Sequence, residues 1–208
     1  MAAGLVLHGC AATARLDDRI TGWAGRPGLV VAAPHATSDA GTGPIAESIA
    51  RRTGFGLVIA SGAAMEADGF ARQEDEAYRW HVREAAQGPL HFYAEIHADD
   101  RPQTAARIEI ATVGVDRELA LRLRALAEII RDAHLRAHPE VARLAIAVEP
   151  ADAVVHTAAG AGRHGLLTLA RQALLIALPR AARVEVADVY TAILAEFLVQ
   201  AVLLPRGR

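Results

Sequence analysis

Apolar positions along the chain fall into two rhythms. Short continuous runs mark buried strands: 28–33 (GLVVAA), which Pro34 ends, then 57–60, 90–97 with HFYAEI inside it, 107–113, 144–148, 153–156, and 174–178, which Pro179 ends. Between them the spacing turns helical. Ile45, Ile49 and Ala50 share a face, Arg51 and Arg52 fill the last turn, and Gly54 stops the helix. A polar helix over 73–87 is ended by Gly88-Pro89. Asp116 caps a helix of about twenty residues that runs to near His138-Pro139, and a last helix covers about 186–203. Strands alternate with helices, and there is no repeat, low-complexity tract or linker. The pattern predicts a single α/β domain over 1–208, a three-layer α/β/α sandwich around a mostly parallel or mixed sheet.

Composition narrows the function. With 52% hydrophobic and 22% charged residues the chain has ample core and is not of the disordered class. Aromatics are only 4% and the net charge is −2, so neither base stacking nor a basic footprint is expected and nucleic acid is not an expected partner. All 22 basic residues are arginine, and the sequence holds no Lys and no Asn. That bias points to a GC-rich, bacterial genome, and it excludes a lysine nucleophile, a Schiff base and a P-loop lysine. The single cysteine, Cys10, excludes an intrachain disulfide and a cysteine-based structural zinc site. Leu7-His8-Gly9-Cys10 faintly resembles a lipoprotein cleavage site, but the stretch before it carries no positive charge and is short for a signal. No apolar run approaches the ~20 residues of a membrane span. The expectation is a soluble, cytoplasmic protein without a membrane partner, and composition does not set its oligomeric state.

Candidate chemistry begins at Pro34-His35. Ligands of open α/β sheets bind beyond the carboxyl ends of strands, and His35 stands at such an end. The small residues after it let the chain turn tightly enough for Asp39, four positions on, to converge with it. His97 closes the run Glu95-Ile96-His97 at the end of another strand. Two histidines and a carboxylate, with one position left for water, form a common catalytic zinc set; the plainer reading is that both histidines cap their strands through hydrogen bonds. Glu95 shares a sheet face with His97 and could orient an imidazole. Glu109 sits among apolar residues, where burial would raise its pKa toward that of a general base. Each of these glutamates has a plainer reading as an arginine salt-bridge partner. Arg72, Arg101, Arg107, Arg163, Arg180 and Arg183 are candidates for holding a substrate carboxylate. His134 and His138 have i,i+4 spacing, but at a helix C-terminus they suit the helix dipole better than a metal. His164 lies in a glycine-rich loop from which it could reach a substrate. Residues 160–165 match G-x-G-x-x-G, yet no acidic residue follows at the end of the next strand and too little chain remains for a dinucleotide domain.

The run His35-Ala36-Thr37-Ser38-Asp39-Ala40-Gly41-Thr42, followed by Ile45-Ala46, resembles the first metal motif of bacterial and phage poly-γ-glutamate hydrolases. Glu95-Ile96-His97-Ala98 resembles their second motif, and 174–183 (LLIALPRAAR) their late strand with its trailing arginines. The related N-formylglutamate amidohydrolases share the Pro-His opening. The resemblance implies a zinc-carboxypeptidase-like fold, zinc on His35, Asp39 and His97, and hydrolysis of an amide bond in an N-acyl amino acid or γ-glutamyl peptide. Two positions depart from it. The first-motif carboxylate is Asp39, one residue closer to the histidine than the family's Glu. The late-strand Glu expected as general base is replaced by Ala177. Another carboxylate then serves, with Glu109 as the candidate, or the zinc-bound hydroxide suffices. Otherwise the chain is a catalytically weak or silent member that binds a ligand or partner through the same cleft.

Overall fold

The structure is a computed structural model that describes residues 20–61, 71–155 and 167–205, with residues 71–75 described by backbone alone. Its strands are β1 (Ile20–Trp23), β2 (Leu29–Ala33), β3 (Gly56–Ala60), β4 (Phe92–Asp99), β5 (Arg107–Val113), β6 (Ala145–Val148) and β7 (Gln172–Pro179). The long helices are α1 (Thr42–Thr53), α2 (Ala71–Ala86), α3 (Arg117–Leu135) and α4 (Ala187–Ala201). All seven strands form one sheet in the order β1-β3-β2-β4-β7-β5-β6. The sheet is mixed. β3, β2, β4 and β7 run parallel, β1 pairs antiparallel with β3, and β5 pairs antiparallel with β7 while running parallel to β6.

Strand alternation sorts the core into two apolar layers. Val31, Ala94, Ile96, Leu174, Ile176 and Leu178 face α1, α3 and α4, whose buried stripes include Ile45, Ile49, Leu123, Ile130, Ile193 and Phe197. Val30, Ala32, Tyr93, Ala173, Leu175 and Ala177 face the other way, against Tyr78, Val82 and Ala85 of α2 and against Leu167. Each fully buried Ile or Leu on these stripes contributes about 1.5–3 kcal/mol, so both helical layers are held firmly over the sheet. Caps follow the sequence. The Asp116 carboxylate accepts from Leu119 N–H and starts α3, and Gly54 ends α1 at φ 72°.

The structure corrects the sequence reading at four places. No strand covers 153–155; Val155 N–H goes to the Glu109 carboxylate instead of to a ladder, and His156 lies outside the described residues. The edge strand β1 carries no period-2 pattern of its own and is made by pairing with β3. α3 ends at Leu135, short of His138. β7 includes Pro179 as its last residue, one position further than the sequence suggests. The glycine-rich 160–165 segment and the Leu7–Cys10 motif also lie outside the described residues. Among those described, no helix is long and apolar enough to cross a membrane.

Candidate metal centre

The connections of β2 and β4 create a crevice. From β2 the chain crosses through α1 to β3 on one side of it, and from β3 it crosses back through α2 to β4 on the other. α1 and α2 lie on opposite faces. Strand order therefore reverses between β2 and β4, and open α/β sheets bind ligands beyond the carboxyl ends of the strands at such a point. His35 follows β2 and His97 lies near the end of β4, so both stand at this edge.

The chain between β2 and α1 is drawn into a tight turn. Asp39 N–H donates to His35 C=O at 2.7 Å and Thr42 Oγ1 donates to Asp39 C=O at 2.7 Å. Gly41, at φ 90°, passes so near the Arg183 carbonyl that a Cβ there would lie 2.6 Å from it. This turn aims Asp39 at β4. Its Oδ2 accepts from Ala98 N–H at 3.0 Å and lies 3.6 Å from His97 Nδ1. The His35 and His97 rings stand 5.4 Å apart between centroids, tilted by 55°. On its far side His97 Nε2 is 3.1 Å from Glu95 Oε2, and Glu95 Oε1 accepts from Tyr93 O–H at 2.8 Å. The Tyr93 oxygen lies 3.2 Å from that of Tyr78 on α2.

His97 is thus gripped between two carboxylates. Burial works to lower its pKa, but the hydrogen bonds and charges of Asp39 and Glu95 outweigh it and push the imidazole up to about 9. Burial likewise acts to raise Asp39, and its bonds to His97 and Ala98 N–H win, leaving it below the ordinary carboxylate value. Burial and the Glu95 charge hold Tyr78 and Tyr93 well above the usual phenol value, so both hydroxyls stay protonated at neutral pH. A group whose pKa is raised by folding stabilises the protein below its unfolded value and loses that contribution as pH rises through the folded one. The metal-free protein should therefore keep the His97 contribution in full below about pH 6.5 and lose it as pH climbs toward 9. Denaturant midpoints of the metal-free protein should fall across that window, and His97→Gln should flatten the fall. Equal slopes for both proteins would show that His97 does not carry the charge.

The donor set suits zinc in kind. Two imidazoles and a carboxylate are a catalytic zinc set, and two donors on a tetrahedral zinc with bonds of ~2.0–2.2 Å stand ~3.4 Å apart. The 3.6 Å between His97 Nδ1 and Asp39 Oδ2 is close to that spacing. Glu95 stands on the opposite ring nitrogen, the position at which zinc-binding histidines commonly carry a carboxylate. Among the described residues, no group of three or more His, Cys, Asp or Glu is placed to hold a metal ion as the side chains stand.

The remaining sequence candidates are distributed as follows. Ala177 pairs in register with His97 on one side and with Glu109 on the other, so the three form one row across β4, β7 and β5. Glu109 is fully buried and engaged by Arg107 Nη2, by Arg101 Nη2 at 3.5 Å and by Val155 N–H at 3.0 Å. Arg101 in turn holds Asp99 through two bonds of 2.8 Å. Arg183 is buried in the π-helical turn Ala181–Glu185, where it donates to Ala40 C=O at 2.5 Å and pairs with Asp100. Its guanidinium therefore braces the turn that carries Asp39. Arg180 keeps an exposed head, with Glu185 3.9 Å away. The side chain of Arg72, and all of Arg163 and His164, lie outside the described structure. His134 pairs with Glu196 at 2.8 Å and His138 with Glu140 at 3.4 Å. Sequence reasoning passed over Tyr93, which period-2 alternation places on one face with Glu95 and His97, and Tyr78, for which no local signal exists.

No family model and no curated protein matches the sequence. Solved structures do match the fold. A bacteriophage poly-γ-glutamate hydrolase is 12% identical, with a TM-score of 0.50 over 88% of this chain and 86% of that one. YndL in a zinc-free form is 12% identical, with a TM-score of 0.55 over 86% and 88%. The Atu2144 gene product of Agrobacterium tumefaciens is 12% identical, with a TM-score of 0.56 over 89% and 95%. The fold is zinc-carboxypeptidase-like. At this identity the likeness is one of architecture, and what the site does must be argued from its own residues.

Proposed function

We propose that the chain is a zinc-dependent amide-bond hydrolase acting on a small N-acyl amino acid or γ-glutamyl peptide. The observation that supports this reading is the approach of both the His35 ring and Asp39 to His97 at the strand-order reversal, with Glu95 seated behind His97. Two of the structures that share the fold agree with it: one is a poly-γ-glutamate hydrolase and another is described as zinc-free. His35, Asp39 and His97 would hold the metal. Bound there, zinc would polarise the scissile carbonyl and bring the pKa of a water to about 7. Glu95 fixes the His97 ring and keeps Nδ1 aimed at Asp39. Arg180, whose head is exposed just past the end of β7, would take a substrate carboxylate. Arg183 serves by holding the Asp39 turn. Ala177 favours a second reading, a slow or silent member that binds its ligand through the same crevice. Zinc-loaded protein offered γ-glutamyl peptides and N-acyl amino acids should release free amine; stoichiometric zinc without hydrolysis of either class would put the binding reading first.

A further inference from the structure

The hydrogen bonds behind His97 run further into the molecule than an oriented metal ligand needs. Each Glu95 oxygen has its own partner: Oε2 meets His97 Nε2 at 3.1 Å and Oε1 accepts from Tyr93 O–H at 2.8 Å. Because Tyr93 spends its proton on Glu95, its oxygen is left to accept from Tyr78 O–H at 3.2 Å. Both phenols are buried, Tyr93 at 0% and Tyr78 at 4% exposure. Tyr93 lies on β4 and Tyr78 on α2, so the chain of bonds ties the helix that covers this face to the imidazole at the sheet edge. Such a chain is directional, and each bond polarises the next.

We propose that Tyr93 and Tyr78 are positioning residues for the metal centre, locking Glu95 in the rotamer that receives Nε2–H of His97 and so leaving Nδ1 for the metal. This inference rests on the metal-site reading above and extends it two residues inward. Without the Tyr93 hydroxyl, one Glu95 oxygen loses its partner inside an apolar layer. The carboxylate can then turn, and the His97 tautomer and ring angle are no longer fixed. Tyr78 acts at one remove, by fixing the direction of the Tyr93 hydroxyl.

The test is zinc affinity, measured by competition with a chromophoric chelator, on wild type, Tyr93→Phe, Tyr78→Phe and Tyr190→Phe. Loss of an outer partner typically costs ~10–100-fold in metal affinity. Tyr93→Phe should weaken zinc by about tenfold or more on that scale, and Tyr78→Phe less, in the same direction. Tyr190→Phe is the control. It removes a buried hydroxyl that donates to Ala142 C=O at 2.6 Å and accepts from Leu144 N–H at 3.0 Å. It should lower the melting temperature and leave zinc affinity unchanged. In the zinc-loaded protein, the His97 Nε2–H proton signal should be protected from exchange and lose that protection in Tyr93→Phe. Unchanged affinity and protection in Tyr93→Phe, or equal weakening by Tyr190→Phe, would overturn the inference while leaving the metal site standing. A wild type that takes up no zinc would overturn both.

Discussion

His35→Ala should cost the protein its zinc. In the proposed set His35 would supply one of three donors, and its substitution should weaken binding by more than the ~10–100-fold expected for an outer partner such as Glu95. The His35 position is a cleaner probe than His97, because removing the His97 ring would also strand Asp39 and Glu95 against each other. Melting gives an independent reading. A ligand that binds only the folded state adds about 2.7 kcal/mol at a hundred times its dissociation constant. Wild-type protein should therefore melt higher in excess zinc than in chelator, and His35→Ala should show no such gap. Equal zinc stoichiometry and an equal melting gap in the variant would remove His35 from the ligand set. Glu95→Gln provides the intermediate case. It keeps the shape but turns a charged acceptor into a neutral amide, so its zinc affinity should fall between the two.

Much of this centre could be read from sequence because its parts are local. Pro34 ends an apolar run and announces the strand end on which His35 sits. The small residues from Ala36 to Gly43 signal a turn tight enough to bring Asp39 back, and the structure shows where the tightness is needed, with the Arg183 carbonyl against Gly41. Alternation along β4 puts Glu95 and His97 on one face. What stayed hidden depends on contacts across the sheet. The Arg183 guanidinium is legible as a candidate anion clamp only while its partners, Ala40 and Asp100, are unknown. Glu109 has an arginine partner as its plainer reading, and the structure supplies two, Arg107 from its own strand and Arg101 from the segment before it; the Val155 amide that joins them comes from beyond β6 and has no local signal. Residues 153–155 read as a strand because Ala-Val-Val is apolar and β-branched, yet the Val155 amide is taken by Glu109. β1 failed for the opposite reason: four residues with a glycine among them have too little pattern to register without their partner.

Ala177→Glu should raise hydrolysis of γ-glutamyl or N-acyl amino-acid substrates by at least about tenfold, since a positioned general base is typically worth ~10²–10⁴ in rate. The geometry supports the choice of position. Ala177 is fully buried, faces the α2 side with Leu175, and lies in register between His97 and Glu109. Neighbouring strands are ~4.8 Å apart, so a carboxylate built on this Cβ would reach out beside the His97 ring. It would also stand across from Glu109, and like charges directly opposite on paired strands repel. Arg107 and Arg101 already engage Glu109 and offset part of that repulsion. What remains, with burial, raises the new carboxyl toward neutrality, which is where a general base is effective. Ala177→Gln has the same volume and no base, so it separates chemistry from packing and should stay at the wild-type rate. If the wild type is already fast and Ala177→Glu slows it, the base is elsewhere. Glu109→Gln then decides whether the buried glutamate one strand over has taken the role, a change that Arg107, Arg101 and the Val155 amide on it argue against. If zinc is bound and neither protein cleaves any such substrate, the crevice is a binding site, and alanine in this row is what made it one.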